Sequence, residues 1–379
     1  MIRSRAPVRI DFAGGWTDVA LFSQEQPGAV VNAAVNIHSY ATARKTTSSI
    51  RSVDGLDGSG SGEYEINTRT LTDKGFKSVP ERDAKARTGS QVRIYSADYD
   101  SYEEAAEIKE LEYDGNVDLA KAAIKRMNVD FGLEIITRSN APAGSGLGSS
   151  ASMGVALVGA LARLVGSVLL PYEYAEIASS IERHELGFLG GKQDQYASAI
   201  GGINFMEFSG EEVKPSKLVL SSDVLYELEK NIVLCYTGKS RLSSNIHQNV
   251  VDTYLAGHDE TLDALKNLKQ IAFEMKNALL KGELLYFSKL LNDNWDNQKR
   301  LHASVTNPQI DSLFELALNN GATGGKASGA GGGGCLIFYC ADDREHVVRR
   351  KLQDAGCNVI DFGFDFDGLQ TWRVPQQAF

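Results

Sequence analysis

Residues 131–166 run FGLEIITRSNAPAGSGLGSSASMGVALVGALARLVG. An alternating apolar stretch ends at Ser139, and a nearly all-apolar one starts at Met153. Between them stand three glycines and four serines within PAGSGLGSSAS. The first stretch has strand periodicity and the last reads as a buried helix. A strand, a glycine-rich turn and a helix in that order form a device that presents backbone N–H groups to an anion. Gly144, Gly146 and Gly148 permit positive φ and close approach. Ser149 and Ser150 stand where a hydroxyl can cap the helix, donate to a phosphate, or place an oxygen on a metal ion. The run is not a Walker A loop, which needs GxxxxGK[ST]. It is not a dinucleotide fingerprint either, because Ser149 stands where GxGxxG needs glycine. Taken alone, a linker or an N-cap with spare glycines remains an open reading.

The rest of the chain narrows the setting. A length of 379 residues favours two domains or one large one. VRIDFAG, AVVNAAVN, HSYATARKT and QVRIYSAD have strand character, and helices are expected near 117–127 and over PYEYAEIASSIERHELG. Residues 54–62 read as a turn or loop, and YEINTRT as a hairpin. Farther on, NIVLCYTG, CLIFYC and NVIDFGF read as strands. Leu262, Leu265, Leu268, Ala272, Met275 and Leu279 fall on one helical face, with helices also at about 283–300, 308–319 and in DDREHVVRRKLQDAG. Strands and helices mixed without strict βαβ repetition give an α+β class. A boundary near residue 210 divides the chain into domains 1–210 and 211–379.

A net charge of −10 argues against a general nucleic-acid or membrane binder, which needs a basic surface. No signal-like apolar region opens MIRSRAPVRI, and no apolar run approaches the roughly 20 residues of a membrane span. Cys235, Cys335, Cys340 and Cys357 form no CxxC pair and read as reduced, buried thiols of a cytoplasmic protein.

Two further stretches accompany the glycine run, RAPVRIDFAGGWTD near the start and KASGAGGGGC near the end. The three in this order resemble the GHMP kinases, the superfamily of galactokinase, homoserine kinase, mevalonate kinase and phosphomevalonate kinase. The resemblance implies a two-domain architecture, with a ribosomal S5 domain 2-like N-terminal domain and a ferredoxin-like C-terminal domain. APVRIDFAGGWTD, VRIYSADYDSYEEA and GGKQDQYASAIGG are most similar to bacterial D-glycero-D-manno-heptose 7-phosphate kinases. The implied reaction is transfer from ATP, with Mg²⁺, to the anomeric C1 hydroxyl. The product, a 1,7-bisphosphate, feeds nucleotide-activated heptose and surface glycan synthesis. A free-sugar acceptor such as fucose, or a sensor that has lost catalysis, are the competing readings.

The resemblance also implies roles. ATP phosphates lie over Pro142, Gly144, Ser145, Gly146, Leu147, Gly148, Ser149 and Ser150. Mg²⁺ takes a serine hydroxyl, Ser150 being favoured over Ser149, and the carboxylate of Glu182, which otherwise reads as a solvated helix charge. Asp194 faces the acceptor hydroxyl and handles its proton, and Arg9 pairs with Asp194 or stabilises the transferring group. Gly15, Thr17 and Asp18 face the sugar. Trp16 either stacks on it or belongs to the core. Lys192 meets a phosphate or is solvated, and Gly331 and Gly332 line the far wall of the cleft. The partners are thus a small sugar phosphate and ATP. Arg5, Arg87, Arg93, Arg138 and Arg183 are the conceivable donors to the acceptor's own phosphate, and the oligomeric state is open.

Overall fold

The computed structural model describes residues 1–46, 91–238 and 243–375. The turn at 54–62, the hairpin at YEINTRT and Arg87 lie outside them.

The first sheet is built on two long neighbours, β1 (Ile2–Ala13) and β2 (Gly28–Lys45), with a short helix α1 (Ala20–Ser23) between them. β3 (Val92–Ser96), β4 (Ser101–Ala105), helix α2 (Asp118–Arg126) and β5 (Leu133–Ser139) follow. Helices α3 (Ser149–Val165), α4 (Pro171–Ser180) and α5 (Gln193–Ile200) precede β6 (Ile203–Ser209) and β7 (Glu212–Lys217). The rest is α6 (Ser222–Asn231), β8 (Ile232–Tyr236), α7 (Ser243–Leu255), α8 (Asp259–Lys281), α9 (Leu284–Lys299), α10 (Pro308–Asn319), β9 (Ala322–Ala327), β10 (Cys335–Cys340), α11 (Glu345–Asp354), β11 (Asn358–Ile360) and β12 (Gln370–Arg373).

The sequence predicts two strands over 29–46, but β2 is one strand that changes partner midway. Its first half, Gly28–Ala33, pairs with β6, and its second, Ser39–Lys45, pairs with β5. The register against β1 slips between Pro7 and Val8, opposite the stretch Val35–His38. Such a bulge re-aims a strand. There Asn36 exchanges hydrogen bonds with Gly363 through both its backbone N–H and its side-chain oxygen. The sheet runs β12-β1-β2-β5-β3-β4, with β6 and β7 branching from β2. The expected boundary near 210 therefore falls between two paired strands, and β12 returns from the chain's end to this sheet.

The second sheet is antiparallel in the order β11-β8-β10-β9, which in chain order is 4-1-3-2, the ferredoxin-like arrangement. The helices α8 and α9 lie between the sheets. Met275, Leu279 and Phe287 share one core with Val8, Ile10 and Phe12 of the first sheet and Leu234 and Ile337 of the second. The other face of the first sheet is covered by α2 to α5, through residues such as Val155, Leu161 and Ala178. A third cluster, with Val233, Leu268, Trp295, Phe314 and Phe338, fills the far side of the second sheet.

β9 is a strand where the sequence reads only as glycine-rich. Its glycines permit close helix packing: a Cβ on Gly324 would lie 1.9 Å from the Ser288 carbonyl oxygen of α9. All four cysteines are buried and free. Among the described residues no helix is long and apolar enough to cross a membrane.

Candidate active site

The first sheet and α3 frame a loop at 140–148. Gly148, at the N-cap of α3, has φ 73°, and a Cβ there would sit 2.8 Å from Asp194 Oδ2. Only glycine meets both demands. Three consecutive carbonyls of the loop are engaged by protein donors. Ser145 O accepts from the Cys335 N–H at 2.7 Å and Leu147 O from the Arg9 N–H at 3.0 Å. Gly146 O accepts from Arg9 Nη1 at 2.6 Å and from Ser328 Oγ at 3.0 Å. A planar trans peptide points its N–H away from its carbonyl, so the N–H groups of Gly146 and Gly148 are turned the other way. The helix adds the N–H groups of Ser149, Ser150 and Ala151, which precede the first bond of α3, from Ser152 N to Gly148 O. No side chain caps this end. The result is a set of main-chain donors at the positive end of a 17-residue helix.

Arg9 and Asp11 alternate along β1 with the core residues Val8, Ile10 and Phe12, so period two puts both polar side chains on the face opposite that core. Arg9 is almost fully buried and grips Asp194 with a two-pronged contact, Nε to Oδ1 at 2.7 Å and Nη2 to Oδ2 at 2.9 Å. Asp194 lies in the first turn of α5. Burial pushes its carboxyl above the ordinary value, and Arg9 pulls it back. The Asp194 side chain remains a quarter exposed, beside Gly148. One carboxylate thus keeps an open side next to the donor loop.

Glu182 lies in a single π turn, Ile181–Glu185, that continues α4. The Ser150 hydroxyl donates to Glu182 Oε1 and the Gln195 amide to Oε2. Burial raises the Glu182 pKa against both hydrogen bonds. Ser150 and Glu182 therefore meet. Two hard oxygen donors beside a phosphate-sized set of N–H groups fit Mg²⁺, which takes one or two protein oxygens and keeps waters and phosphate oxygens. Among the described residues there is no cluster of three or more His, Cys, Asp or Glu side chains that would hold a metal unaided.

On the other side of Asp194, Asp18 is buried under the Gly191–Gln193 segment, with the Gln193 N–H donating to Oδ2 at 3.2 Å. Burial first, and then the neighbouring Asp194 charge, push Asp18 up to about 6. Gly15 adjoins the Asp11 carboxylate.

Several of the residues expected on the substrate side have protein partners. The Thr17 hydroxyl is taken up by the main chain, between Gly14 O at 2.7 Å and the N–H and C=O of Ala29 at 3.0 Å, so it holds the β1–β2 connection together. Gly331 and Gly332 pack on the 303–307 segment: the Gly332 N–H donates to Val305 O and its carbonyl accepts from Asn307. The nearer neighbours of the donor loop are Ser328, Gly329, Gly334 and Cys335. Lys192 is not solvated; its ammonium is held by Glu176 and Glu211. Trp16 is buried in the third cluster with φ 82°, its ring 4.7 Å from His247 and its Nε1 without a hydrogen-bond partner among the described residues. Of the arginines, Arg93 meets Glu104, Arg183 meets Glu211, and Arg138 is exposed.

Two features escape the sequence reading. Gln195 orients Glu182 from within GGKQDQY. Lys326 of β9, fully buried, pairs with the buried Asp11 at 2.6 Å across the two sheets. A lone lysine in a glycine strand and a lone aspartate in an apolar one were the available signals.

Family models described as GHMP kinases N terminal domain and GHMP kinases C terminal match residues 117–202 and 275–356. Among curated relatives, a D-glycero-alpha-D-manno-heptose 7-phosphate kinase of Campylobacter jejuni is 30% identical over 98% of this chain and 99% of its own. An L-fucokinase/L-fucose-1-P guanylyltransferase of Bacteroides fragilis is 26% identical over 93% of this chain, which spans 36% of that longer protein. Among solved structures, a D-glycero-D-manno-heptose 1-phosphate kinase of Bacteroides thetaiotaomicron has a TM-score of 0.74, 29% identity and coverage of 99% and 100% of the two chains. A galactokinase of Lactococcus lactis shares the fold, with a TM-score of 0.69 at 20% identity over 98% and 95%.

Proposed function

The chain belongs to the GHMP kinases and is a sugar kinase of that family, using ATP as co-substrate; from that premise we propose that it phosphorylates the anomeric C1 hydroxyl of D-glycero-D-manno-heptose 7-phosphate. The observation that carries the reading is the Asp194 carboxylate, gripped by Arg9 and set beside Gly148 of the donor loop.

Phosphoryl transfer depends on positioning and charge neutralisation more than on covalent chemistry by the protein. The N–H groups of Gly146, Gly148, Ser149 and Ser150 bind the triphosphate tail. Ser150 and Glu182 would hold Mg²⁺, which neutralises phosphate oxygens when bound. Asp194 accepts the hydroxyl proton as the C1 oxygen attacks the γ-phosphorus and the bond from that phosphorus to the departing ADP breaks. Its raised pKa makes it a better base than an ordinary aspartate. An anomeric hydroxyl is more acidic than a common alcohol, so a carboxylate suffices. Arg9 fixes the carboxylate's orientation. Asp18 binds sugar hydroxyls.

The heptose 7-phosphate acceptor is supported by the Campylobacter relative, matched over nearly its whole length. The Bacteroides structure carries 1-phosphate in its name, and the fucokinase relatives favour a second reading with an unphosphorylated sugar. Coupled ADP release separates these readings with heptose 7-phosphate, heptose 1-phosphate, free heptose and L-fucose as acceptors. Turnover on heptose 7-phosphate at least ~100-fold above the others in kcat/KM supports the proposal, and phosphorus NMR of the product must show a phosphate on C1. Preference for fucose or for heptose 1-phosphate refutes it.

A further inference from the structure

Two cations near Asp18 converge on a single carboxylate. Arg183, next to Glu182 in the π turn, donates from Nη1 to Glu211 Oε2 at 2.8 Å and from Nη2 to Oε1 at 2.7 Å. Lys192 Nζ lies 3.0 Å from the same Oε2 and donates to the Glu211 carbonyl at 2.7 Å. Lys192 also meets Glu176, which accepts from the Tyr196 hydroxyl as well. The cations are confined, with side chains 11% and 5% exposed, whereas the Glu211 side chain is 50% exposed. The anion can swing into water; the cations cannot.

The cluster adjoins the acceptor side of the site. Lys192 is flanked by Gly191, which bridges to Val19, and by Gln193, whose N–H donates to Asp18. A guanidinium fork and an ammonium around one carboxylate are also the donor set for a phosphate monoester. Without Glu211 the largely buried Arg183 would lose its ion-pair partner and Lys192 would keep Glu176 alone; stranding such a charge is costly, which gives Glu211 a reason to occupy the site when no ligand does.

We propose that Arg183 and Lys192 form the site for the acceptor's own phosphate, and that the Glu211 carboxylate is an internal stand-in displaced when the sugar phosphate binds. This rests on the reading of the acceptor as a sugar phosphate. Arg183 first, and then Lys192, hold Glu211 down at about 2. The stand-in therefore stays charged at any working pH, and the competition is permanent.

The test is steady-state kinetics of the full chain with heptose 7-phosphate and with free heptose, in wild type, Arg183→Gln and Glu211→Gln. Removing the fork should raise KM for heptose 7-phosphate by about 10- to 100-fold and leave KM for ATP and for free heptose within about twofold. Removing the stand-in should lower KM for heptose 7-phosphate about three- to tenfold, a gain that misfolding cannot produce. Inorganic phosphate should compete with heptose 7-phosphate in wild type, more strongly in Glu211→Gln, and not in Arg183→Gln. An Arg183→Gln enzyme with unchanged KM for heptose 7-phosphate, or one that loses free heptose equally, overturns the site while the proposed reaction stands. A raised KM in Glu211→Gln overturns the stand-in. Wild-type turnover on free sugars alone overturns the reaction itself, and the phosphate competition then decides whether an anion site exists.

Discussion

Asp11→Asn tests the buried pair that joins the two sheets. Lys326 has no exposed surface, and its ammonium makes two contacts, Asp11 Oδ2 at 2.6 Å and Asp11 O at 3.0 Å. Burial already lowers the Lys326 pKa, and the nearby Arg9 lowers it further against the pull of Asp11. The substitution keeps shape and a neutral acceptor but removes the countercharge. Stranding one partner of a buried pair costs about 3–5 kcal/mol. The backbone carbonyl and amide oxygen still accept, so the low end, about 3 kcal/mol, is expected from urea midpoints at constant slope. The sign of the pH dependence follows from linkage. A lysine whose folded pKa lies below its unfolded value of 10.5 leaves the unfolded chain holding more protons between the two, so stability rises with pH through that window. In the variant the folded value drops further and the window widens toward neutrality. The deficit relative to wild type should therefore shrink between pH 7 and pH 9.5, by at most about 1.4 kcal/mol per pH unit. Asp11→Leu with Lys326→Met should recover most of the loss. A deficit below about 1 kcal/mol, or one that grows with pH, refutes the assignment of Lys326 as a buried charge dependent on Asp11.

Asp194→Asn should cut kcat by about 10²- to 10⁴-fold while nucleotide titration shows ATP still bound; near-normal turnover would remove Asp194 from proton handling. Because burial raises Asp194, the acid limb of kcat/KM should lie above the ordinary aspartate value of 3.8, with activity lost as pH falls through it; a pH–rate profile measures this. Glu182→Gln should move the Mg²⁺ titration of activity about tenfold higher, and an unmoved curve counts against its place as a ligand. Gly148→Ala forces a Cβ to within 2.8 Å of Asp194 Oδ2 at a φ of 73°, so kcat should drop about 100-fold through displaced geometry, with the fold retained by circular dichroism.

Local signals in the sequence carried the parts of this fold whose partners are local. α3 follows the glycine run as its apolar pattern predicts, and α8 buries Leu265, Leu268, Ala272, Met275 and Leu279 on one face, with Leu262 half-buried at its edge. The misreadings arise where a distant partner decides. β2 reads as two strands because its alternation breaks at Asn36–Ile37, where β6 gives way to β5. β9 reads only as glycine-rich because α9 excludes side chains from Gly324, and strand propensity says nothing of that. β12 is four residues long and owes its strand conformation to β1, more than 360 positions away. In the site, Arg9 meets Asp194 and Ser150 meets Glu182. The Thr17 hydroxyl and the Lys192 ammonium find protein partners that no motif announces, Ala29 for one and Glu176 and Glu211 for the other.

The same dependence on distant partners explains why three glycine-rich stretches occur together. Left alone, the loop at 144–148 has the freedom of a linker, and its peptides could face either way. Its orientation is set by which donors take its carbonyls. Two are on β1, the Arg9 N–H and guanidinium. The other two, Ser328 Oγ and the Cys335 N–H, flank the third glycine stretch, between β9 and β10. Donors from one side alone would leave one of the three carbonyls free, Ser145 O without Cys335 or Leu147 O without Arg9. With both, the carbonyls of Ser145, Gly146 and Leu147 are all held by protein donors, and the N–H groups of Gly146 and Gly148 are turned away from them. The contact of Arg9 Nη1 with Gly146 O also ties the loop to Asp194, because the same guanidinium holds that carboxylate. The donor loop and the Asp194 carboxylate are thereby positioned by one side chain, and the second sheet takes part by fixing which way a flexible backbone faces.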